Sequence, residues 1–295
     1  MRRPTVPEAD REVGVQHPVL THGFVALVDY MGNDAAIVQA ARVSYGQGTK
    51  SVRDDRGLIR YLMRHRHTTP FEMVEYKFLV RLPIFVARQW IRHRTASVNE
   101  YSARYSVVPD DYEVPPAEEV RHQSARNRQG RGGPLPAEVV DRFRSDLDEV
   151  SQRAYAAYTR ALEDGVARET ARLLLPVAYY TQWYWKINLY NLFHFLSLRL
   201  DPHAQEEIRL YAAEMAKVAR LVAPVAFEAF EEFELEGLSL GRREQVAVRA
   251  LLDGRTPAEA CGVAGLPLTR EDGTPMSTGE GVEFLEKLER IRHLE

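Results

Sequence analysis

Two short β-type runs, one alternating and one continuously apolar, set among segments of helical period, narrow the possible folds more than any other feature of the chain. From Phe71 to Arg81 the side chains Val74, Tyr76, Phe78 and Val80 fall at every second position, which predicts a strand with one buried face. Phe24-Val25-Ala26-Leu27-Val28 predicts another between Gly23 and Tyr30. Gly32-Asn33-Asp34 then supplies a turn and an N-cap for a helix to about Ser44, ended by Gly46 and Gly48. A second helix is predicted from about Asp54 to Arg66, with Leu58, Tyr61 and Leu62 at helical spacing and Pro70 as its stop. Pro83 opens a third, to about Arg94, where its missing N–H costs nothing. Beyond a loop, helical period dominates over 137–164, 166–175, 188–198 and 203–232, broken by the aromatic stretch Tyr179 to Trp185. The total is a mixed, helix-rich α+β chain.

Composition marks the boundaries. Residues 1–22 carry Pro4, Pro7 and Pro18 and read as an N-terminal arm. The main domain spans 23–234, with a basic loop at about 115–136 that holds Arg121, Arg126, Arg128 and Arg131 among glycines and prolines. Its two readings are a solvated surface loop and a patch that meets phosphate. Residues 235–295 read as a helical C-terminal extension: Thr256-Pro257-Ala258-Glu259 is a capping box, and Phe284, Leu285, Leu288 and Ile291 form one face of a last helix.

Charge and cysteine usage exclude some chemistry. Lys+Arg total 39 against 42 Asp+Glu, a net charge of −3, which opposes a surface that grips nucleic acid as a whole. No apolar run approaches the roughly 20 residues of a membrane span, and no apolar segment follows the charged start, so neither a membrane nor a secretory signal is expected. Cys261 is the only cysteine. An intramolecular disulfide is impossible, a cytoplasmic location is the default expectation, and any cysteine nucleophile must be Cys261.

Polar residues concentrate between Arg88 and Arg104. On the helix from Pro83, Val86 and Trp90 stack at i,i+4, as do Ala87 and Ile91, while Gln89, Arg92 and His93 share the opposite face. Asn99, Glu100, Ser102 and Arg104 follow in what reads as an irregular segment. Guanidiniums give bidentate donors to phosphate, and an amide and a carboxylate can read a heterocycle's edge. From spacing alone, a solvated helix face with a salt-bridged turn is the favoured reading, because charged faces are the norm. His65 and His67 at i,i+2 lack a third ligand at metal spacing, so no metal is expected. Asn188, Asn191 and His194 recur every three residues, before Arg199-Leu200-Asp201-Pro202.

These residues carry a resemblance. Arg92-His93-Arg94, seven residues, then Ser102 is similar to the RHR-x7-S motif of the flavin-dependent thymidylate synthases. His65-x-His67-x-Thr69-Pro70-Phe71-Glu72, Ala41-Arg42-Val43-Ser44 and Phe195-Leu196-x-Leu198-Arg199 also resemble blocks of that family, in its order, from Gly23 to about Phe230. The resemblance implies a helix-rich domain around an antiparallel sheet. It implies reductive methylation of dUMP to dTMP, with 5,10-methylenetetrahydrofolate as one-carbon donor and NADPH reducing through FAD, no cysteine nucleophile, and a homotetramer whose subunits share each flavin site. By position, it assigns flavin binding to Arg92, His93, Arg94, Glu100, Asn188, Leu189, Tyr190 and His194, with Thr69 reaching from a neighbouring subunit and His67 near the flavin and folate. His194 departs from the Asn often found there. It assigns dUMP contacts to Gln89, Trp90, Ile91, Arg92, Glu100, Tyr101, Ser102, Ala103, Arg104, Arg172 and Arg199, and pyrimidine activation to Arg199. Ser102 reads as a phosphate donor rather than a nucleophile, since no base adjoins it.

Two other classes leave traces. His67-Thr68-Thr69 and His93-Arg94-Thr95 are H-x-T tripeptides similar to those of 2H phosphodiesterases. The Arg/His clusters and the basic loop can also be read as an RNA-contacting surface. The run Leu252 to Ala260 resembles the start of a helix-turn-helix, with too much Gly and Pro after it for a recognition helix.

Overall fold

The computed structural model describes residues 5–43, 55–124 and 130–294. Ser44, Gly46, Gly48, Asp54, Arg126 and Arg128 therefore lie outside the described residues, as does Pro4. The chain divides into two units, one of Met1–His122 with Gly133–Leu235 and one of Gln123–Gly132 with Glu236–Glu295.

The first unit opens with α1 (Pro7–Asp10), β1 (Gln16–Val19), β2 (Gly23–Met31), α2 (Asp34–Val43) and α3 (Asp55–Arg64). A 3₁₀ turn over Thr69–Met73 leads to β3 (Glu75–Pro83), α4 (Ile84–Trp90) and β4 (Ser97–Glu100). A two-stranded ribbon of β5 (Arg121–Gln123) and β6 (Arg131–Pro134) occupies the basic loop. Then come α5 (Ala137–Glu163), α6 (Arg168–Ala171), β7 (Tyr180–Asn188), α7 (Leu189–Arg199), α8 (Glu206–Val222) and α9 (Pro224–Phe230). The main sheet runs β1-β2-β3-β7-β4, with every pairing antiparallel.

The alternation in β3 does what its pattern demands. Tyr76, Phe78, Val80 and Leu82 are buried, and they register against β7, whose Trp183, Trp185 and Ile187 are buried in turn. Trp90, at the end of α4, lies edge-on to Trp183 at 5.7 Å and Trp185 at 5.3 Å and leans on Phe195 of α7 at 4.8 Å. Truncating one such buried aromatic typically costs about 3–5 kcal/mol, so this cluster anchors α4 and α7 to the sheet.

Four expectations are corrected. The N-terminal segment is no free arm: β1 pairs with β2 from Gln16↔Ala26 to Val19↔Gly23, and an edge strand tolerates Pro18. The segment after Arg94 is not wholly irregular, since β4 pairs with β7. The helix from Pro83 stops at Trp90, so Gln89, Arg92 and His93 do not share one helical face. The helix expected over 203–232 breaks at Ala223 before Pro224.

That break has a purpose legible in its hydrogen bonds. Asn33 caps α2 through Oδ1 and the Ala35 N–H at 3.0 Å, whereas Asp34 turns away. Its two carboxylate oxygens accept from the Val225 and Ala226 N–H groups of α9, at 2.9 Å each. Pro224 has no N–H, so Asp34 satisfies the first donors that α9 offers. Burial raises the Asp34 carboxyl above its ordinary range, outweighing those two bonds.

The second unit holds α10 (Arg242–Leu252), α11 (Pro257–Ala264) and α12 (Glu280–Arg292). Its small core comprises Ala247, Ala250, Ala260, Cys261, Leu266 and Phe284. Thr256 and Glu259 form the capping box of α11, and Gly265 ends that helix at φ 65°, the left-handed conformation that glycine takes without strain. Ile291, expected on the apolar face of α12, is exposed. No helix among the described residues is long and apolar enough to cross a membrane.

Candidate active site

Three cavities gather the residues singled out by the sequence. The first, about 610 Å³, is lined by Arg92, His93, Arg94 and Thr95 from the turn after α4 and by Tyr190, Asn191, His194, Leu198 and Arg199 from α7. Asn188 starts α7 as its N-cap, accepting the Asn191 N–H on Oδ1 at 2.9 Å. Tyr190, Asn191, His194 and Leu198 then fall on one face at helical spacing, with Arg199 at the helix end. No acidic residue lines this cavity among the described residues, and the side chains of Arg92 and Arg94 make no hydrogen bond there. Three guanidiniums around one hollow suit a polyanion such as a pyrophosphate.

At its inner edge the Arg199 Nε–H donates to His93 Nε2 at 2.9 Å. The imidazole also packs edge-on against Phe195 at 4.9 Å. Burial, then the charges of Arg199 and His194, lower the His93 pKa to about 4. Burial lowers Arg199 as well.

The second cavity, about 470 Å³, is lined by Glu100, Tyr101, Ser102, Ala103 and Arg104, with Arg172, Tyr180 and Thr181. Glu100 accepts the Thr181 hydroxyl at 2.6 Å, and Tyr101 donates its N–H to Gln182 O at 2.7 Å. The strand register thus sets the start of this loop. The Arg104 N–H and Nε–H both approach Ser102 Oγ at 3.4 Å. Thr181 is a contact missed by sequence reasoning. Its signal was a hydroxyl in the same inward register as Trp183 and Trp185.

The third cavity, about 230 Å³, adds His67 and Thr68 to Tyr190 and His194, with Phe193 stacked on Phe230 at 4.2 Å as its wall. Thr69 is exposed at the start of the adjoining 3₁₀ turn. The His65 and His67 rings stand 6.4 Å apart, and among the described residues no group of three His, Cys, Asp or Glu is placed to hold a metal.

Some assigned positions serve the fold. The side chains of Trp90 and Leu189 are fully buried, and the Leu189 N–H is bonded to Val74 O, so neither offers a side chain to a ligand. Asn188 spends its side-chain oxygen on the cap. Gln89 Nε2 donates to Gln205 Oε1, and Ile91 is exposed outside all three cavities. The two H-x-T tripeptides line different cavities, unlike a phosphodiesterase pair that faces one phosphate. Residues 266–279, where a recognition helix would follow the run Leu252 to Ala260, form no helix.

Residues 26–225 match the family described as thymidylate synthase complementing protein. The flavin-dependent thymidylate synthase of Ruegeria pomeroyi is 53% identical over 257 residues, covering 86% of this chain and 85% of the relative. This chain belongs to the flavin-dependent thymidylate synthase family. Other flavin-dependent thymidylate synthases agree: that of Rickettsia conorii is 48% identical over 266 residues, covering 86% of this chain and 90% of its own. That of Wolbachia pipientis is 52% identical over 253 residues, covering 86% and 89%. Among solved structures, the UMP/dUMP methylase PolB of Streptomyces cacaoi bound with 5-Br dUMP has a TM-score of 0.67 and 39% identity, covering 74% of this chain and 99% of its own. A flavin-dependent thymidylate synthase is an enzyme, which makes these cavities candidate parts of its active site.

Proposed function

We propose that this enzyme methylates dUMP reductively to dTMP, taking the one-carbon unit from 5,10-methylenetetrahydrofolate and reducing equivalents from NADPH through FAD, with no enzymic cysteine nucleophile. One contrast carries the reading. Cys261 is fully buried among the side chains of the extension's core, and burial pushes its thiol up, whereas a nucleophilic cysteine needs access and a lowered pKa. Arg199 is a partly buried cation held by a neutral imidazole in a cavity lined by no acid among the described residues.

Uracil C5 becomes nucleophilic only when electron density is pushed toward it. Covalent addition at C6 would do so, but without a thiolate the ring must be polarised electrostatically. A fixed guanidinium at the N3/carbonyl edge stabilises the negative charge that develops there with little reorganisation. Arg104 and Arg172, with Ser102, suit the phosphate of dUMP. Arg92, Arg94, His194 and Tyr190 suit FAD, a polyanion with an aromatic ring; when bound, it supplies hydride transfer. The separation of the phosphate-type and pyrimidine-activating residues into cavities with no residue in common supports sites shared between subunits of a homotetramer.

The test is dTMP formation with dUMP, methylenetetrahydrofolate and NADPH each omitted in turn, alongside Cys261→Ser. Turnover needs all three and survives the substitution. A correctly assembled Cys261→Ser protein that makes no dTMP overturns the mechanism, and a wild-type protein that neither binds FAD nor makes dTMP overturns the reading as a whole.

A further inference from the structure

The resemblance assigns His93 to flavin, but the strongest contact its ring makes is with another residue. The turn after α4 fixes its backbone, with the His93 N–H donating to Trp90 O at 2.9 Å. Its ring rests edge-on against Phe195, itself packed on Trp90 and Trp185 in the aromatic core. From that shelf Nε2 meets the Nε–H of Arg199 at 2.9 Å.

We infer that His93 is a positioning residue: its neutral imidazole, carrying its proton on Nδ1, accepts the Arg199 Nε–H on Nε2 and holds the guanidinium so that its two terminal nitrogens remain for the pyrimidine. The inference rests on the reading of this cavity as the place where dUMP is activated. A guanidinium has five N–H donors in a rigid plane, so fixing the Nε–H orients the other four. An arginine at the last residue of a helix has a flexible stem, and catalysis by a preorganised charge requires that freedom to be removed beforehand.

The surroundings keep the imidazole in the accepting form. Arg199 and His194 face it from α7, Arg92 and Arg94 flank it in the chain, and no carboxylate lines the cavity among the described residues. Protonation would set a second cation against Arg199 and remove the acceptor. Burial, then the charges of Arg199 and His194, put that event at about pH 4. Because Nε2 is the acceptor, the tautomer follows without further assumption.

The experiment compares His93→Ala, His93→Gln and His93→Asn with the wild type. Flavin content is read from visible absorbance, and kcat and KM for dUMP are read from dTMP formation across about pH 6–9. A glutamine oxygen can stand where Nε2 stood, whereas an asparagine oxygen falls nearer Nδ1. The expected result is flavin retention in all three, a loss in kcat/KM of about ten- to hundredfold for Ala and Asn, and recovery to within about threefold for Gln with an unchanged pH profile. An active Ala variant, Asn rescuing as well as Gln, or losses that track lost flavin would overturn the positioning role. A wild type that makes no dTMP instead removes the functional reading, and the inference with it.

Discussion

Arg199→Ala and Arg172→Ala are each expected to silence the enzyme, and mixing the two inactive proteins is expected to bring activity back. The two arginines line cavities that share no residue, and under the proposed sharing of sites between subunits an active site that needs both takes them from different protomers. A variant lacking one electrostatic donor retains on the order of 0.1–1% of wild-type turnover. After random reassortment at equal amounts, a site is intact when one half comes from an Arg172→Ala protomer and the other from an Arg199→Ala protomer. Each condition holds half the time, so about one quarter of wild-type activity returns, far above either parent. Subunits would be exchanged by co-expression under two tags, the mixed assembly purified through both, and dTMP formation measured per flavin. No recovery in a verified mixed assembly would refute the shared-site reasoning, because each chain would then need both arginines for itself.

Three further outcomes follow from particular contacts. Because burial raises Asp34, its contribution to stability is largest below the unfolded carboxylate value and is lost as pH rises through the folded value; Asp34→Asn keeps one acceptor but sets its amide nitrogen against the second N–H, so at pH 7 it is expected to melt between wild type and Asp34→Ala. Asp34→Ala, which leaves the Val225 and Ala226 N–H groups uncapped, should cost about 1–2 kcal/mol and lower the apparent Tm by about 2–8 °C; an Asn variant weaker than the Ala variant would refute the assignment. His93 has a folded pKa lowered to about 4 from 6.5, so the unfolded chain binds a proton first as pH falls through that window, and His93→Gln should flatten the acid-side drop in melting temperature measured by calorimetry. In Gly23→Ala the new Cβ would stand 2.6 Å from Val19 O and 2.8 Å from Arg81 O and collide with the Tyr211 hydroxyl, so a loss of about 1–3 kcal/mol in urea unfolding is expected, and an unchanged midpoint would argue against the packing described.

How much was legible in the sequence varied with the physics of each element. The strand around Tyr76 and Phe78 was readable because one face is apolar and the other is not. The capping box at Thr256 was readable because its chemistry is local. The strand β7 was not, although Trp183 and Trp185 alternate with Tyr184 and Lys186, because three aromatic residues in succession at 183–185 hide the period. Ser97 to Glu100 has no strand pattern at all; pairing with β7 alone makes it one. Gln16 to Val19 was hidden by Pro18, a residue that suggests a free arm and that an edge position accommodates. At the site, motif order named the positions without saying which ones face one another. That Arg199 meets His93, 106 residues away, while Arg172 joins Ser102 in a separate cavity, is a property of register and helix ends. Trp90 and Leu189 carry the same lesson in reverse: a motif position can be held by the core rather than by a ligand.

The seal over Cys261 has a practical use. A single sulfhydryl with no solvent exposure is a built-in clock for the opening of the segment that contains it. Disulfide dyes and alkylating reagents should leave the native enzyme unmodified. The rate at which they do label it would report when α11 comes away from Phe284, without any engineered probe and in the presence of every substrate.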